Sequence, residues 1–130
     1  MKTKLLTLAA FVAVAFNIAQ ARAETCESGK LVTGNNGHVY CQSNNAMNWW
    51  SAYTWCEGQG RHLASMYELC SDWDGSTGSK KCANHNGSFN DAGWTSTAFQ
   101  GNNAFRAYSS GSVDTTNRSS PQRAICYGRL

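Results

Sequence analysis

The chain has 130 residues, of which 15% are charged, and 11 Lys and Arg against 8 Asp and Glu give a formal net charge of +3. Three of those bases, Lys2, Lys4 and Arg22, belong to an N-terminal leader. Without them eight bases face eight acids, and the rest of the chain is formally neutral. That balance gives no footing for a nucleic-acid partner or an anionic membrane surface.

Residues 1–23 read as a signal peptide. Lys2 and Lys4 form a basic start, Leu5 to Ala19 is an apolar run, and Ala21-Arg22-Ala23 is a small-x-small cleavage pattern, with cleavage expected after Ala23. The run is short for a bilayer span, so no membrane insertion is expected after cleavage. Residues 24–130 make one small domain, of a size that is marginal and often stapled. All six cysteines, Cys26, Cys41, Cys56, Cys70, Cys82 and Cys126, fall in it. In an exported chain they read as three disulfides made in an oxidising compartment, periplasmic or extracellular. Their spacing leaves fifteen pairings open.

Leu31-Val32 and His38-Val39-Tyr40 predict a short hairpin about the turn Gly34-Asn35-Asn36-Gly37. Met47 to Ala64 is the densest apolar stretch. On a helix Trp49, Ala52, Tyr53 and Cys56 fall at i, i+3, i+4 and i+7, one buried stripe that Trp55 widens. Asn44 or Asn45 would cap that helix, and Gly58 and Gly60 would end it. Ser65 to Cys70 predicts a second, shorter helix whose Ser65 and Glu68 form a capping box. From Ser71 to Gly93 the chain is polar loop. Strands are expected over 93–99, 104–109 and 123–127, and Ser110 to Gln122 reads as polar turn.

Trp49-x2-Ala52-x2-Trp55-Cys56-x6-Leu63-Ala64 resembles the first-helix signature of bacterial C-type lectin-like domains. Arg123-Ala124-Ile125-Cys126 is similar to that family's last core strand. Gly93-Trp94-Thr95-Ser96-Thr97 followed by Ala104-Phe105-Arg106 is similar to its middle strands. The resemblance implies an α+β, compact C-type lectin-like fold with two helices packed on a small, mostly antiparallel sheet and three disulfides. It implies a Cys56–Cys126 bridge, after which Cys26–Cys41 and Cys70–Cys82 are the simplest remaining pairs. The family's Glu-Pro-Asn or Gln-Pro-Asp and Trp-Asn-Asp calcium triplets are both missing here. The fold is therefore expected without the calcium-dependent sugar site.

Asp72 to Gly78 does not fit an EF-hand loop and reads as a solvated turn. His38, His62 and His85 lack zinc spacing, and His62 is expected to hydrogen-bond locally. There is no nucleophile elbow, and the cysteines are oxidised. Neither metal, cofactor nor enzyme activity is expected. Trp49, Trp50 and Trp55 could make a sugar-stacking platform, but helical spacing places Trp49 and Trp55 in the core, with Trp50 the exception. Trp73 and Phe89 lie in polar loop sequence, where ligand contact competes with packing over a disulfide.

The expectation is an exported, non-catalytic, calcium-independent module for adhesion. It would bind a surface glycan or protein through the 71–91 region, with Trp73, Asp74, Asn86, Phe89, Asn90 and Asp91 at the site and Arg106 and Arg118 at its rim. The alternative is a structural subunit of a periplasmic or cell-surface assembly, and a third reading is a small secreted hydrolase. Ligand identity and oligomeric state are not legible in the sequence.

Overall fold

The structure, a computed structural model, describes residues 25–82 and 89–128. The expected leader and Asn86 lie outside the described residues. In chain order the elements are β1 (Gly29–Thr33), β2 (Val39–Met47), α1 (Trp49–Gly58), β3 (His62–Leu63), α2 (Met66–Leu69), β4 (Ala92–Ala98), β5 (Asn103–Tyr108), β6 (Val113–Asn117) and β7 (Gln122–Tyr127). Two helices thus pack on one mostly antiparallel sheet.

The hairpin forms as expected, with Gly37 supplying the left-handed turn residue at φ +81°. Strand β2, however, runs on to Met47 and absorbs Asn44 and Asn45. A polar stretch can pair there because a side chain replaces a ladder bond. Where β2 shifts register against β7, Ser43 Oγ accepts the Ala124 N–H at 2.9 Å. The cap of α1 therefore moves to Asn48, whose Oδ1 accepts from the Ser51 N–H at 2.8 Å. At the other end Gly60 takes φ +71°, and the Arg61 N–H returns to the Cys56 carbonyl, which closes the helix. The capping box on α2 is present in both directions, Glu68 N–H to Ser65 Oγ and Ser65 N–H to Glu68 Oε1.

The sheet order is β1-β2-β7-β4-β5-β6, with β3 pairing β7 beyond the end of β4. Among the described strands only β4 and β7 run parallel. They lie close because residue 93 is glycine: a Cβ there would overlap the Ile125 Cδ1.

Strand alternation sends neighbouring residues to opposite faces, and both faces are covered. Cys41, Trp94, Ala104, Ala124 and Cys126 meet Ala52 and Cys56 of α1 in one buried cluster. Tyr40, Phe105, Ala107 and Ile125 meet Met66 and Leu69 of α2, together with Cys70, Trp73, Cys82 and Phe89, in the other. The 71–91 segment is thus the second cover of the sheet. Within it Gly78 exchanges two backbone hydrogen bonds with Val113 on β6.

The disulfides are Cys26–Cys41, Cys56–Cys126 and Cys70–Cys82. Closing the 70-residue span removes about 4 kcal/mol of unfolded-chain entropy on the chain-entropy view, and each short span about 3 kcal/mol. Three bridges of this kind point to an oxidising compartment. Among the described residues no helix is long and apolar enough to cross a membrane.

Strand β6 corrects the expectation of turn over 110–122. Its one apolar residue facing the core is Val113, so no alternating pattern marks it. Pairing with β5 along its whole length holds it, as does a cross-strand ion pair of Arg106 with Asp114. Tyr53 is a second correction, since it lies on the exposed side of α1 and only Ala52 and Cys56 of the expected stripe are fully buried.

Candidate binding face

Of the expected site residues that are described, Trp73 and Phe89 lie in the buried cluster beside α2, while Arg118 lies on Trp49 at the start of α1. Trp73 is 6% exposed, stands edge-on to Phe105 at 4.9 Å, and donates its Nε1–H to the Ser76 carbonyl at 2.9 Å. Phe89 is 4% exposed and packs on Tyr40 at 5.5 Å. Both rings are buried in the cluster on that sheet face, so packing accounts for them. An aromatic in polar loop sequence is explained here by the sheet face that the loop must cover.

Most of the described polar members have partners of their own. Asp74 Oδ1 accepts the Ser76 hydroxyl and N–H, and Oδ2 faces Lys81 Nζ at 3.3 Å. The Ser76 hydroxyl, then its N–H, hold the Asp74 carboxyl down at about 2, with Lys81 adding to them. Asn90 exchanges both backbone bonds with the Gln42 side-chain amide, each at 2.9 Å. Asp91 meets Arg123 at 3.3 Å. Arg106 grips Asp114 with Nε and Nη2, which raises its pKa, and lies over the Tyr108 ring. Arg118 lies on Trp49, at the start of α1.

That last contact leads to the other candidate. The helix α1 starts inside a clamp of three hydrogen bonds. Trp94 Nε1–H donates to the Met47 carbonyl at 2.8 Å, Trp49 Nε1–H to the Thr95 carbonyl at 2.9 Å, and the Trp49 N–H to the Arg118 carbonyl at 2.9 Å. Thr95 can serve because β4 breaks register with β5 between Trp94 and Ala98, which frees its carbonyl from the ladder. So the partly buried Trp49 is fixed at ring and backbone.

Around that fixed ring stand two exposed ones. Trp50 is 48% exposed and meets Trp49 edge-on at 6.2 Å; Tyr53 is 39% exposed and tilts against Trp49 at 5.3 Å. Two shallow concavities flank Trp50. One, of about 480 Å³, is lined by Met47, Trp50, Ser51, Thr54 and Trp55. The other, of about 300 Å³, is lined by Trp49, Trp50, Tyr53 and Thr54. Trp50 and Thr54 are common to both, so the Trp50 indole is the wall between them.

The Ser51 and Tyr53 hydroxyls have no hydrogen-bond partner among the described residues. Apolar rings with a few uncommitted polar groups are the chemistry of a small-ligand site, and both volumes fall near the low end of the usual range of roughly 300–1,000 Å³. The face can stack planar or C–H-rich surfaces and hydrogen-bond their edges. Among the described residues no group of three or more His, Cys, Asp or Glu could hold a metal ion.

Neither a family model nor a curated protein matches this chain. The face must be read from its own residues. Sequence reasoning noted Trp50 as the exception among the helix tryptophans, and the alternation of burial around α1 was the available signal. It could not find Arg118 beside Trp49, because that contact joins residues far apart in the chain through a turn with no pattern of its own.

Proposed function

We propose that the chain is an exported, non-catalytic binding module with a compact C-type lectin-like fold, which recognises a surface glycan without calcium through the Trp50 face of α1. Support for the fold comes from Cys56–Cys126 joining the tryptophan-rich helix to the last strand. The single observation that carries the function is Trp50, half exposed on a helix whose start is clamped, with a concavity on each side. Leaving an indole of that area in water is unfavourable unless something covers it in use. A pyranose ring fits, since its C–H face packs on an electron-rich ring while its hydroxyls reach Ser51, Tyr53 and Thr54. A glycan and host-protein array tests this with wild type beside Trp50→Ala and with a chelator present. Loss of glycan signal in the variant, with no effect of the chelator, is the expected result; protein spots alone, or an unchanged variant, would overturn it.

A second reading, a subunit of a periplasmic or surface assembly, is favoured by another pair of exposed aromatics. Tyr67 and Phe99 flank the buried Trp73 and Phe105, on the sheet face opposite α1. Two apolar patches on opposite faces suit head-to-tail contacts between subunits. The mass of the purified domain in solution separates the readings: a monomer is expected of the binding module, a concentration-dependent oligomer of the subunit.

A further inference from the structure

We infer that the saccharide taken by the α1 face carries an acidic group, a carboxylate or sulfate, and that Arg118 reads it. This rests on the glycan-binding role proposed above and names the chemical class of its ligand.

The other arginines of the described residues are engaged, as is Lys81, whereas Lys30 and Lys80 are simply exposed, with no aromatic ring to hold them. Arg106 is paired with Asp114, Arg123 with Asp91, and Lys81 with Asp74. Arg61 is buried and donates to the carbonyls of Thr25 and Gln59. Arg118 differs from these. Its guanidinium makes no ion pair or hydrogen bond among the described residues, and its buried Nε–H has no acceptor. What holds it is the Trp49 ring, 4.5 Å from Cζ. A cation over an indole is oriented and partly stripped of water, but its charge is not neutralised. An arginine held this way keeps the planar donor edge that suits a carboxylate or sulfate.

Its position ties that charge to the candidate site. Trp49 touches Arg118 as well as Trp50 and Tyr53, and it lines the smaller concavity. One ring therefore connects the unpaired cation to the stacking surface. No acidic residue stands in the first turn of α1 to repel an anion there. A neutral sugar would leave the guanidinium as it is, whereas an acidic one adds a charge-assisted hydrogen bond, the stronger kind.

The test titrates the 24–130 protein, purified with its disulfides formed, against uronic-acid-containing and sulfated oligosaccharides and their carboxyl-reduced or desulfated counterparts. Wild type is expected to bind the acidic member of each pair on the order of ten-fold more tightly. That preference should shrink as salt rises from 50 to 500 mM, in line with the shorter screening length. Arg118→Met keeps a side chain over Trp49 and should erase the preference; Arg118→Lys should retain part of it. Equal affinity of wild type for both members overturns the inference, and this arm needs no variant to fold. So does a preference that survives in Arg118→Met. Neutral sugars bound in a Trp50-dependent way would leave the proposed function standing without its acidic ligand. No saccharide bound at all would remove both.

Discussion

The Arg118 guanidinium lies 4.5 Å over the Trp49 ring, and the Arg118 carbonyl accepts the Trp49 backbone N–H at 2.9 Å. Side chain and main chain of one turn residue, just past the end of β6, thus hold the first residue of α1 twice. With the Thr95 and Met47 carbonyls receiving the two indole N–H groups, the helix start is tied to the middle of β4, the end of β2 and the turn after β6. A stacking surface on that turn is preorganised, so a ligand orders little by binding.

This arrangement separates two neighbouring tryptophans. Trp49→Ala removes a partly buried ring and strands the Thr95 carbonyl, and should cost about 2–4 kcal/mol of stability. Trp50→Ala removes a half-exposed ring with no hydrogen bond, and should cost less than about 1 kcal/mol while abolishing ligand binding. Urea denaturation of both variants beside a binding titration checks the contrast. Similar losses of stability in the two would mean that Trp50 is structural.

Trp73→Ala should act on folding and not on recognition. The ring stands against Phe105 in the cover of the sheet face opposite α1, and its removal opens a cavity that the tethered loop cannot close. A loss of about 3–5 kcal/mol is expected. Whatever fraction remains folded should bind ligand with wild-type affinity. A stable Trp73→Ala protein that no longer binds would return the site to the 71–91 segment.

The helices, the hairpin and three of the late strands were legible because each carries a local mark: a 3.6-residue apolar period, a Gly-Asn turn, a Ser65/Glu68 capping box. Strand β6 was not, since its pairing with β5 rests on backbone bonds and the Arg106–Asp114 contact, which no period announces. That the 71–91 loop covers a sheet face was hidden for the same reason. Trp73 and Phe89 have no repeat around them, and only the sheet face above shows why they are apolar. Of the candidate site, Trp50 could be picked out from its place off the buried stripe. Arg118 depended on tertiary contact alone.

Gln42 offers a sharper test of how the loop is attached. Its side-chain amide is buried and pairs with both backbone groups of Asn90, in the manner of one more ladder rung between β2 and the loop. Gln42→Ala would leave the Asn90 N–H and carbonyl without those partners. A cost of about 1–3 kcal/mol follows from unmet polar groups. Hydrogen exchange at the Asn90 amide should quicken more than at Trp94, deep in β4. Uniform acceleration across the sheet would show that the rung is not local.

Acid sensitivity should centre on Glu68. Partial burial alone would raise its pKa, but the Ser65 N–H and then the His62 ring, 2.7 Å from Oε2, outweigh that and hold it below the ordinary 4.5. Its folded pKa is therefore lower than its unfolded one, so between the two values the unfolded chain binds more protons and stability rises with pH. The contribution is complete above about 4.5 and is lost as pH falls through the lower folded value. Glu68→Gln keeps an acceptor for the capping box without the charge, and should flatten this limb of the stability curve. Melting temperatures of wild type and variant between pH 2 and 6 provide the measurement. Parallel curves would assign the acid limb to another carboxylate, with Asp74 and its partner Ser76 next in line.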